Sequence, residues 1–361
     1  MAVQSHAILN PTPTFDDARQ AFNAFVDLLS QDARAVALHD SDADGVTAGV
    51  VWQRSFERAG FAQAIRVTPD RERNAWTNAN RERVRACAPA SLFVLDLGSQ
   101  PQPIIDNVPT CFIDHHRPEG APPDSTLISA YTWQPIPNTS LLVWNLCATM
   151  TDTSDLDWIA AIGTLSDLGD NAAFEMLAAA KRKYKAKYLK EATVLINAAR
   201  RGSNYDPETA ARALLQHADP RALVNSDADE VQQLRLAREE VKAAMNEAKK
   251  AAPVFAGSVA LVRMNSPCQI HPLIAQIWRS RLPRYIVIAA NEGYLSNRVN
   301  FSARSAANVS VLDFLREIEL SEGEGYYGHG HDGASGGSLP VDRWNELLGK
   351  LGFGSEVFAV Q

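Results

Sequence analysis

An aspartate and two adjacent histidines follow a short apolar run in the first third of the chain. They are Asp114, His115 and His116, and the apolar run occupies 111–113. This run has the composition of a buried strand, and open α/β sheets present their reactive groups where the strands end. A lone histidine more often packs in a core, but two histidines beside a carboxylate favour a functional site. We therefore predict such a site at the carboxyl end of this strand.

Further carboxylates follow other apolar runs of the sequence. They are Asp40, Asp42 and Asp44 after 35–38, Asp96 after 91–95, and Asp167 at the end of a helical pattern that starts near 155. Three like charges as close as those of the first group repel one another strongly unless a cation lies between them. An acidic turn in which an aspartate caps the next helix is the other interpretation of that group, and its residues alone leave both open.

The types of these side chains indicate which cation is expected. Carboxylates and imidazoles without a thiolate suit hard or borderline divalent metals, so we expect Mn²⁺ or Mg²⁺ before zinc. A set of about seven candidate ligands is too large for one ion of this kind. It indicates two ions that share a bridging carboxylate, an arrangement that activates water and stabilises both oxygens in phosphoryl displacement.

The order of apolar runs and helical patterns indicates an α/β protein. Strand, polar turn and helix alternate up to about residue 170, which is typical of a doubly wound, mainly parallel sheet, with a proline-rich loop at 117–137. Helical patterns dominate from 171, and a smaller α/β unit with a glycine-rich segment at 323–337 follows from about Val254. We predict an N-terminal catalytic domain at 1–190, a helical connector at 191–250 and a substrate-binding domain at 251–361.

Composition and charge limit the classes of function. The 361 residues are 46% hydrophobic and 21% charged, which is ordinary for a globular chain with sizeable cores. A net charge of −7 argues against a broad basic surface for long nucleic acid, although metal ions can supply positive charge at a local phosphate site. The four cysteines show no CxxC spacing, and neither a signal peptide nor a membrane span is evident. We therefore expect a cytoplasmic protein without a membrane partner.

The order of the motifs resembles that of the DHH phosphoesterase superfamily. Its four motifs are matched by Asp42-x-Asp44-Gly45, Asp96, Asp114-His115-His116 and Asp167. The DADG form of the first motif is closer to RecJ-type exonucleases than to the pyrophosphatase branch. Later segments resemble the DHHA1 domain that follows in RecJ-like and nanoRNase-like proteins, namely Arg304-Ser305 and the run that begins with Gly330-His331. The resemblance covers about residues 35–340, and its motifs are specific in combination.

The resemblance implies a Mn²⁺-dependent enzyme with two ions, for which Mg²⁺ is the alternative metal. The implied ligands are Asp42, Asp96 and either His39 or Asp40 for one ion, and Asp44, Asp96 as the bridge, His115 and Asp167 for the other. The water that bridges the ions would be the nucleophile, because two cations lower its pKa.

Other residues are implied as catalytic or substrate-binding groups. His116 would lie beside the scissile phosphate, with Asp114 as orienting support. The residues implied to bind the phosphate of the substrate are Arg304, Ser305, Gly330 and His331.

The implied activity is hydrolysis of phosphodiester bonds in single-stranded or short oligonucleotides, and the acidic net charge favours short substrates. One alternative is a phosphoesterase that acts on cyclic dinucleotides or on nucleoside bisphosphates such as pAp. Another is a nucleic-acid-binding relative without catalysis, but this predicts missing ligands, whereas every motif position is filled. The sequence does not decide whether the substrate is RNA or DNA, or in which direction it is cleaved. It also leaves the oligomeric state open, and a homodimer is one option.

Overall fold

The structure is a computed structural model that describes residues 12–357, apart from the side chains of 329–331 and 357. The chain forms two units, and each is described by itself. The first extends to Ala199 and includes Asp206–Leu234, and the second comprises Arg200–Tyr205 and the chain from Arg235 onward. The predicted three-part division of the chain, with its functional roles, stays a prediction.

Five parallel strands form the sheet of the first unit. They are β1 Ala35–His39, β2 Ala64–Val67, β3 Ser91–Leu95, β4 Thr110–Asp114 and β5 Thr126–Ser129. Their order is β2-β1-β3-β4-β5, and every neighbouring pair is parallel. Parallel strands place their carboxyl ends at one edge, so the ends of β1, β3 and β4 lie side by side. In this register His39 pairs with Leu95, and Leu95 pairs with Ile113.

Helices cover both faces of this sheet. The helices up to residue 225 are α1 Phe15–Val26, α2 Ala43–Arg58, α3 Asn78–Ala86, α4 Thr139–Cys147, α5 Asp157–Asp167, α6 Glu175–Tyr184, α7 Ala186–Arg201, α8 Pro207–Gln216 and α9 Pro220–Asn225. Alternate residues of β1 pack in two different cores: Ala37 lies in the core of Trp52 from α2, and Val36 lies in that of Val84 from α3. Burial on both faces explains the continuous apolar runs of the central strands and confirms the predicted doubly wound sheet.

Six strands form a mixed sheet in the second unit. They are β6 Val254–Ala256, β7 Val259–Met264, β8 Ile286–Asn291, β9 Arg298–Ser305, β10 Tyr326–His331 and β11 Ala334–Pro340. Their order is β10-β11-β9-β8-β7-β6, with β7 and β8 parallel and the other neighbouring pairs antiparallel. The remaining helices are α10 Asp229–Ala248, α11 His271–Arg281, α12 Val311–Arg316 and α13 Val341–Lys350, and a 3₁₀ turn follows at Ser355–Val357. Within residues 12–357, no helix combines the length and the apolar character needed to cross a membrane.

Two segments of the structure contain strands that the sequence does not predict. The proline-rich segment 117–137, predicted as a loop, contains β5 at one edge of the first sheet. The glycine-rich segment 323–337 contains most of the β10–β11 hairpin. A Cβ at Gly336 would lie 2.3 Å from Phe301 O, so the missing side chain allows β11 to pair closely with β9. Proline and glycine are depleted in strands, so the overall composition of these two segments gives no clear strand signal.

Candidate metal centre

The turn between β1 and α2 carries the three aspartates of the first motif. Asp40 is buried beyond the end of β1, and Asp42 is the N-cap of α2. The Asp42 carboxylate accepts hydrogen bonds from the backbone N–H groups of Asp44 and Gly45, at 3.0 and 3.1 Å. Asp44 therefore lies in the first helical turn, although the sequence predicts a helix from about Val46. A Cβ at Gly45 would lie 2.5 Å from Asp40 O, so only glycine lets the helix begin this close to the strand end.

Asp96 and the histidine pair follow β3 and β4. Asp96 has a left-handed backbone conformation, with φ of +64°, which is uncommon for a residue with a side chain. The Asp114 carboxylate accepts hydrogen bonds from the backbone N–H groups of His115 and His116 and from Nδ1 of His116, each at 2.7 Å. The Gly98 N–H donates to the other oxygen of this carboxylate at 2.6 Å. These contacts hold the backbone at both histidines and the ring of His116.

The motif residues meet at this sheet edge in three groups of potential ligand atoms. Within the described residues, the atoms of each group lie within 4.8 Å of one another. The groups are Asp40, Asp42 and Asp96; Asp44, His115 and Asp167; and Asp96, Asp114, His115 and His116. The His115 ring belongs to the second and third groups, with Nε2 3.2 Å from Asp96 and Nδ1 3.6 Å from Asp167. Asp96 and His115 each belong to two groups, as ligands shared by a two-ion centre would.

His39, the alternative to Asp40 as an implied ligand, belongs to none of the groups found in the described part of the chain. Its ring is buried, and its Nδ1–H donates to the backbone oxygen of Asp40 at 2.7 Å. Its Nε2 lies 3.5 Å from a guanidinium nitrogen of Arg66. Burial and the charge of Arg66 lower the pKa of His39 to about 3, so the ring is neutral. Both ring nitrogens face protein groups, and the ring supports the backbone at Asp40.

Arg73 binds the first group of carboxylates. Its Nε donates to Asp40 at 2.7 Å, and its Nη2 donates to the other oxygen of the same carboxylate. Nη2 also lies 3.6 Å from the carboxylate of Asp42. We refer to Asp40, Asp42 and Arg73 as the guanidinium side. Arg73 is not among the site residues predicted from the sequence, although it follows a strand that pairs with β1.

The N-terminus of α4 holds Asp44. Its carboxylate accepts hydrogen bonds from Asn138 Nδ2 at 2.6 Å and from the backbone N–H groups of Thr139 and Ser140 at 3.0 and 2.7 Å. Thr139 Oγ1 donates to Asp96 at 3.0 Å. The first N–H groups of a helix have no partner within the helix and stabilise negative charge. We refer to Asp44, Asn138, Thr139 and Ser140 as the helix side. Sequence reasoning misses the last three of these residues, whose only signal is an Asn-Thr-Ser start before an apolar run.

Burial and mutual repulsion shift the pKa values of these groups. Burial, with the charges of Asp167 and Asp42, raises the pKa of Asp44 to about 7 despite the opposing charge of His115. Burial and the Asp44 charge raise the pKa of Asp96 well above its ordinary value. The carboxylates therefore carry more negative charge than the donors around them compensate, and they favour a bound cation.

The donor set fits a hard divalent cation. Its atoms are carboxylate oxygens and imidazole nitrogens, which suit Mn²⁺ and Mg²⁺. Burial raises the pKa of the Cys147 thiol to about 12 and that of Cys111 further, so neither is a thiolate at neutral pH. Two observations indicate that positive charge is stable among these carboxylates. The pKa values of Asp44 and Asp96 are raised, and the guanidinium of Arg73 contacts two aspartates.

The predicted substrate-binding residues lie in the sheet of the second unit. Arg304 and Ser305 end β9, and Gly330 and His331 end β10. Ala334 of β11 pairs with both Arg304 and His331, so the backbones of these two residues share a row across three strands. Ser305 is buried. The side chains of 329–331 lie outside the described part, and the roles of these residues stay a prediction.

The chain shares its fold with several solved structures, whereas no protein-family model and no curated protein matches its sequence. A structure of exonuclease RecJ bound to manganese is 20% identical, with a TM-score of 0.61 over 96% of this chain and 94% of the RecJ chain. RecJ from Thermus thermophilus in complex with Mn²⁺ is 19% identical, with a TM-score of 0.66 over 96% of this chain.

A third similar structure is the DHH domain of a member of a ribosomal-protein family. It is 13% identical, with a TM-score of 0.66 over 93% of this chain and 88% of that one. The present chain spans 55% of the length of the Thermus thermophilus RecJ. At these identities the similarity shows a common fold, and it agrees with the resemblance seen in the motifs.

Proposed function

Since this is the fold of RecJ and of DHH-domain proteins, we propose that the chain is a two-metal phosphodiesterase of the DHH/DHHA1 type. Its proposed substrates are single-stranded or short oligonucleotides, cut in the manner of an exonuclease or nanoRNase. One observation carries the proposal: ligand groups from separate chain segments overlap at Asp96 and His115. Two ions that share ligands are the arrangement that promotes displacement at a phosphodiester.

The ligands fall into two overlapping sets. We assign Asp40, Asp42 and Asp96 to one Mn²⁺ ion, and Asp44, Asp96, His115 and Asp167 to the other, with Mg²⁺ as the alternative metal. Bound there, the ions would activate water for attack and neutralise charge on the phosphate. We leave His39 out of the first set, because its Nδ1 binds the Asp40 backbone and its Nε2 faces Arg66.

His116 is the proposed catalytic residue on the substrate side. Its side chain is 30% exposed, whereas that of His115 is 2% exposed. Its Nδ1 donates to Asp114, which holds the ring in one orientation. Burial alone would lower its pKa, but the carboxylates of Asp114 and Asp96 outweigh burial and raise it to about 9. In its protonated form the ring can donate a hydrogen bond to a phosphate oxygen and a proton to the leaving oxygen.

The second unit is proposed to bind the phosphate of the substrate through Arg304, Ser305, Gly330 and His331. The shared row of Arg304 and His331 in the sheet supports this role, since it keeps two family-motif segments adjacent. A guanidinium binds phosphate with two parallel hydrogen bonds, and a glycine-rich hairpin lets backbone N–H groups approach a ligand. The net charge of −7 supports short substrates. Four free cysteines support a reducing, cytoplasmic location.

The test is a digest of end-labelled oligonucleotides of graded length in Mn²⁺, Mg²⁺ or a chelator. We expect metal-dependent cleavage of single-stranded or short substrates by the wild-type chain and by Asp170→Asn, which alters an exposed carboxylate paired with lysines. We expect none from the double variant Asp114→Ala/His115→Ala. Equal turnover in the chelator, or activity of the double variant, would contradict the mechanism. Cyclic di-AMP and pAp are parallel substrates, and cleavage of these alone would retain a phosphoesterase but reject the exonuclease.

A further inference from the structure

We propose that Arg73 is a built-in counterion of the guanidinium side, which a divalent cation must displace before it can bind Asp40 and Asp42. The two metal sites of the proposed function would therefore differ in affinity, with the weaker one on the guanidinium side. This inference rests on the proposed function. It concerns how the carboxylates are stabilised without metal and in which order the two metal sites bind their ions.

The contacts of Arg73 have the geometry of a cation site. Two of its nitrogens bind the two oxygens of the Asp40 carboxylate, and one of them also approaches Asp42. The Asp40 side chain is 4% exposed and that of Arg73 is 27% exposed, so water screens the pair only in part. Because a two-pronged guanidinium contact is among the strongest side-chain pairings, Arg73 compensates the repulsion between the two aspartates.

The loop before α3 is built to aim Arg73 at these carboxylates. Arg73 has a φ of +57°, a left-handed conformation that a long side chain rarely adopts. Its backbone N–H donates to Asp70 O at 3.0 Å, which closes a turn. The buried side chain of Asn80 accepts from the Asp70 N–H at 2.8 Å and donates to Asn74 O at 2.7 Å. Asn80 therefore ties both ends of the turn to α3, so the position of Arg73 does not depend on its ion pair alone.

The helix side compensates charge in a different way. Asp44 is held by one amide and two backbone N–H groups, which carry no net charge. Oδ1 of Asp44 accepts two of these hydrogen bonds and Oδ2 accepts one, so the second lone pair of Oδ2 can bind a cation while all three hydrogen bonds persist. On the guanidinium side a cation would face a full positive charge at the same oxygens, and Coulomb repulsion would oppose its entry. The order of filling follows: the helix side first, and the guanidinium side second, as Arg73 leaves.

The test is a titration of the metal-free, full-length chain with Mn²⁺, monitored by isothermal calorimetry. We expect two sites of unequal affinity in the wild type. Arg73→Gln removes the charge, and we expect the weaker site to tighten at least tenfold while the tighter site changes less than threefold. Arg73→Lys keeps the charge and loses the two-pronged contact, so the Mn²⁺ affinity of its weaker site should lie between those of wild type and Arg73→Gln. The control is Arg83→Gln, which removes one exposed charge from α3 and should leave both sites unchanged.

A second readout follows the metal-free protein in a chelator. Without Arg73 the aspartates repel each other, so Arg73→Gln should melt at a lower temperature than wild type, and saturating Mn²⁺ should remove the difference. A weaker site that is unchanged or weakened in a folded Arg73→Gln would overturn the inference, as would two equal sites in the wild type. If Arg73→Gln does not fold without metal, Arg73→Lys is titrated instead. A weaker site that is unchanged or weakened in Arg73→Lys would then overturn the inference. Absence of Mn²⁺ binding in every chain would instead reject the proposed function.

Discussion

The guanidinium side and the helix side hold the same kind of side chain by different means. On the guanidinium side, the charged Arg73 contacts Asp40 and Asp42, and the Asp42 side chain is 23% exposed. On the helix side, Asp44 is 2% exposed and is held by neutral donors at the start of α4. The difference shows two ways to preassemble an acidic centre. An internal cation stabilises it but competes with a metal, whereas a helix N-terminus stabilises it and leaves the charge available.

The two sides are joined at Asp96, so the largest expected effect is at this residue. Asp96→Asn removes the carboxylate shared by two ligand groups, and we expect hydrolysis to fall by about 10³-fold, the order of loss for a preorganised charge at a reacting centre. The measurement is the Mn²⁺-dependent rate on a single-stranded oligonucleotide. Asp170→Asn, which alters an exposed carboxylate outside the three ligand groups of the described residues, is the control and should keep the wild-type rate. A rate of Asp96→Asn within tenfold of wild type would show that the sides do not share a ligand.

His39 lies behind the guanidinium side, and its replacement separates support from metal ligation. His39→Ala leaves a cavity in a buried site and removes the hydrogen bond to Asp40 O, so we expect the free energy of unfolding to fall by about 2–4 kcal/mol. The measurement is urea denaturation in a chelator. In the folded variant, calorimetry should still give two Mn²⁺ ions per chain. Loss of one ion would mean that His39 is itself a ligand.

On the helix side, Asn138→Ala tests the neutral donors. The change removes a hydrogen bond from the Asp44 carboxylate and leaves the Thr164 hydroxyl without its side-chain acceptor, so we expect a loss of about 1–3 kcal/mol in the free energy of unfolding. The matched control is Asn145→Ala on the same helix, whose amide donates within α4 to Leu141 O. Equal losses for the two variants would show that the contact with Asp44 adds nothing specific.

The smallest expected effect is a pH dependence of the helix side. The pKa of Asp44 is raised from 3.8 to about 7 in the folded chain, so folding binds a proton between these pH values. The stability contributed by this proton is present below pH 3.8 and is lost as the pH rises to about 7. We expect the free energy of unfolding of wild type, minus that of Asp44→Asn, to fall as the pH rises over this range in a chelator. A difference that is flat or rises with pH would contradict a raised pKa.

The ends of the central strands could be predicted because their signals are local. The runs at 35–38, 91–95 and 111–113 are apolar on both faces, as strands covered by helices on both sides must be. A parallel sheet places their carboxyl ends at one edge, so the meeting of Asp96 with His115 follows from the order of these runs. The boundaries of the elements are harder to predict from the sequence. The sequence predicts α2 from about Val46, but α2 begins at Ala43 because Asp42 caps it, and Asp44 therefore lies in the helix.

The partners of the carboxylates could not be predicted in the same way. Arg73 contacts Asp40 across 33 positions and Asn138 contacts Asp44 across 94 positions. Such contacts depend on where loops and helix ends lie in space, and no periodicity or motif in the sequence encodes that position. His39 illustrates the same limit, because its ring is directed by Arg66 and by the backbone of its neighbour.

The sequence by itself determined the types of the candidate ligands, their order along the chain and the sheet edge at which they meet. Residue type sets donor chemistry, and apolar periodicity sets which segments become buried strands. Only the tertiary structure decided which carboxylates are compensated by Arg73 and which by the start of α4. Charge compensation acts between groups that are close in space, and burial removes the water that would otherwise make those partners interchangeable.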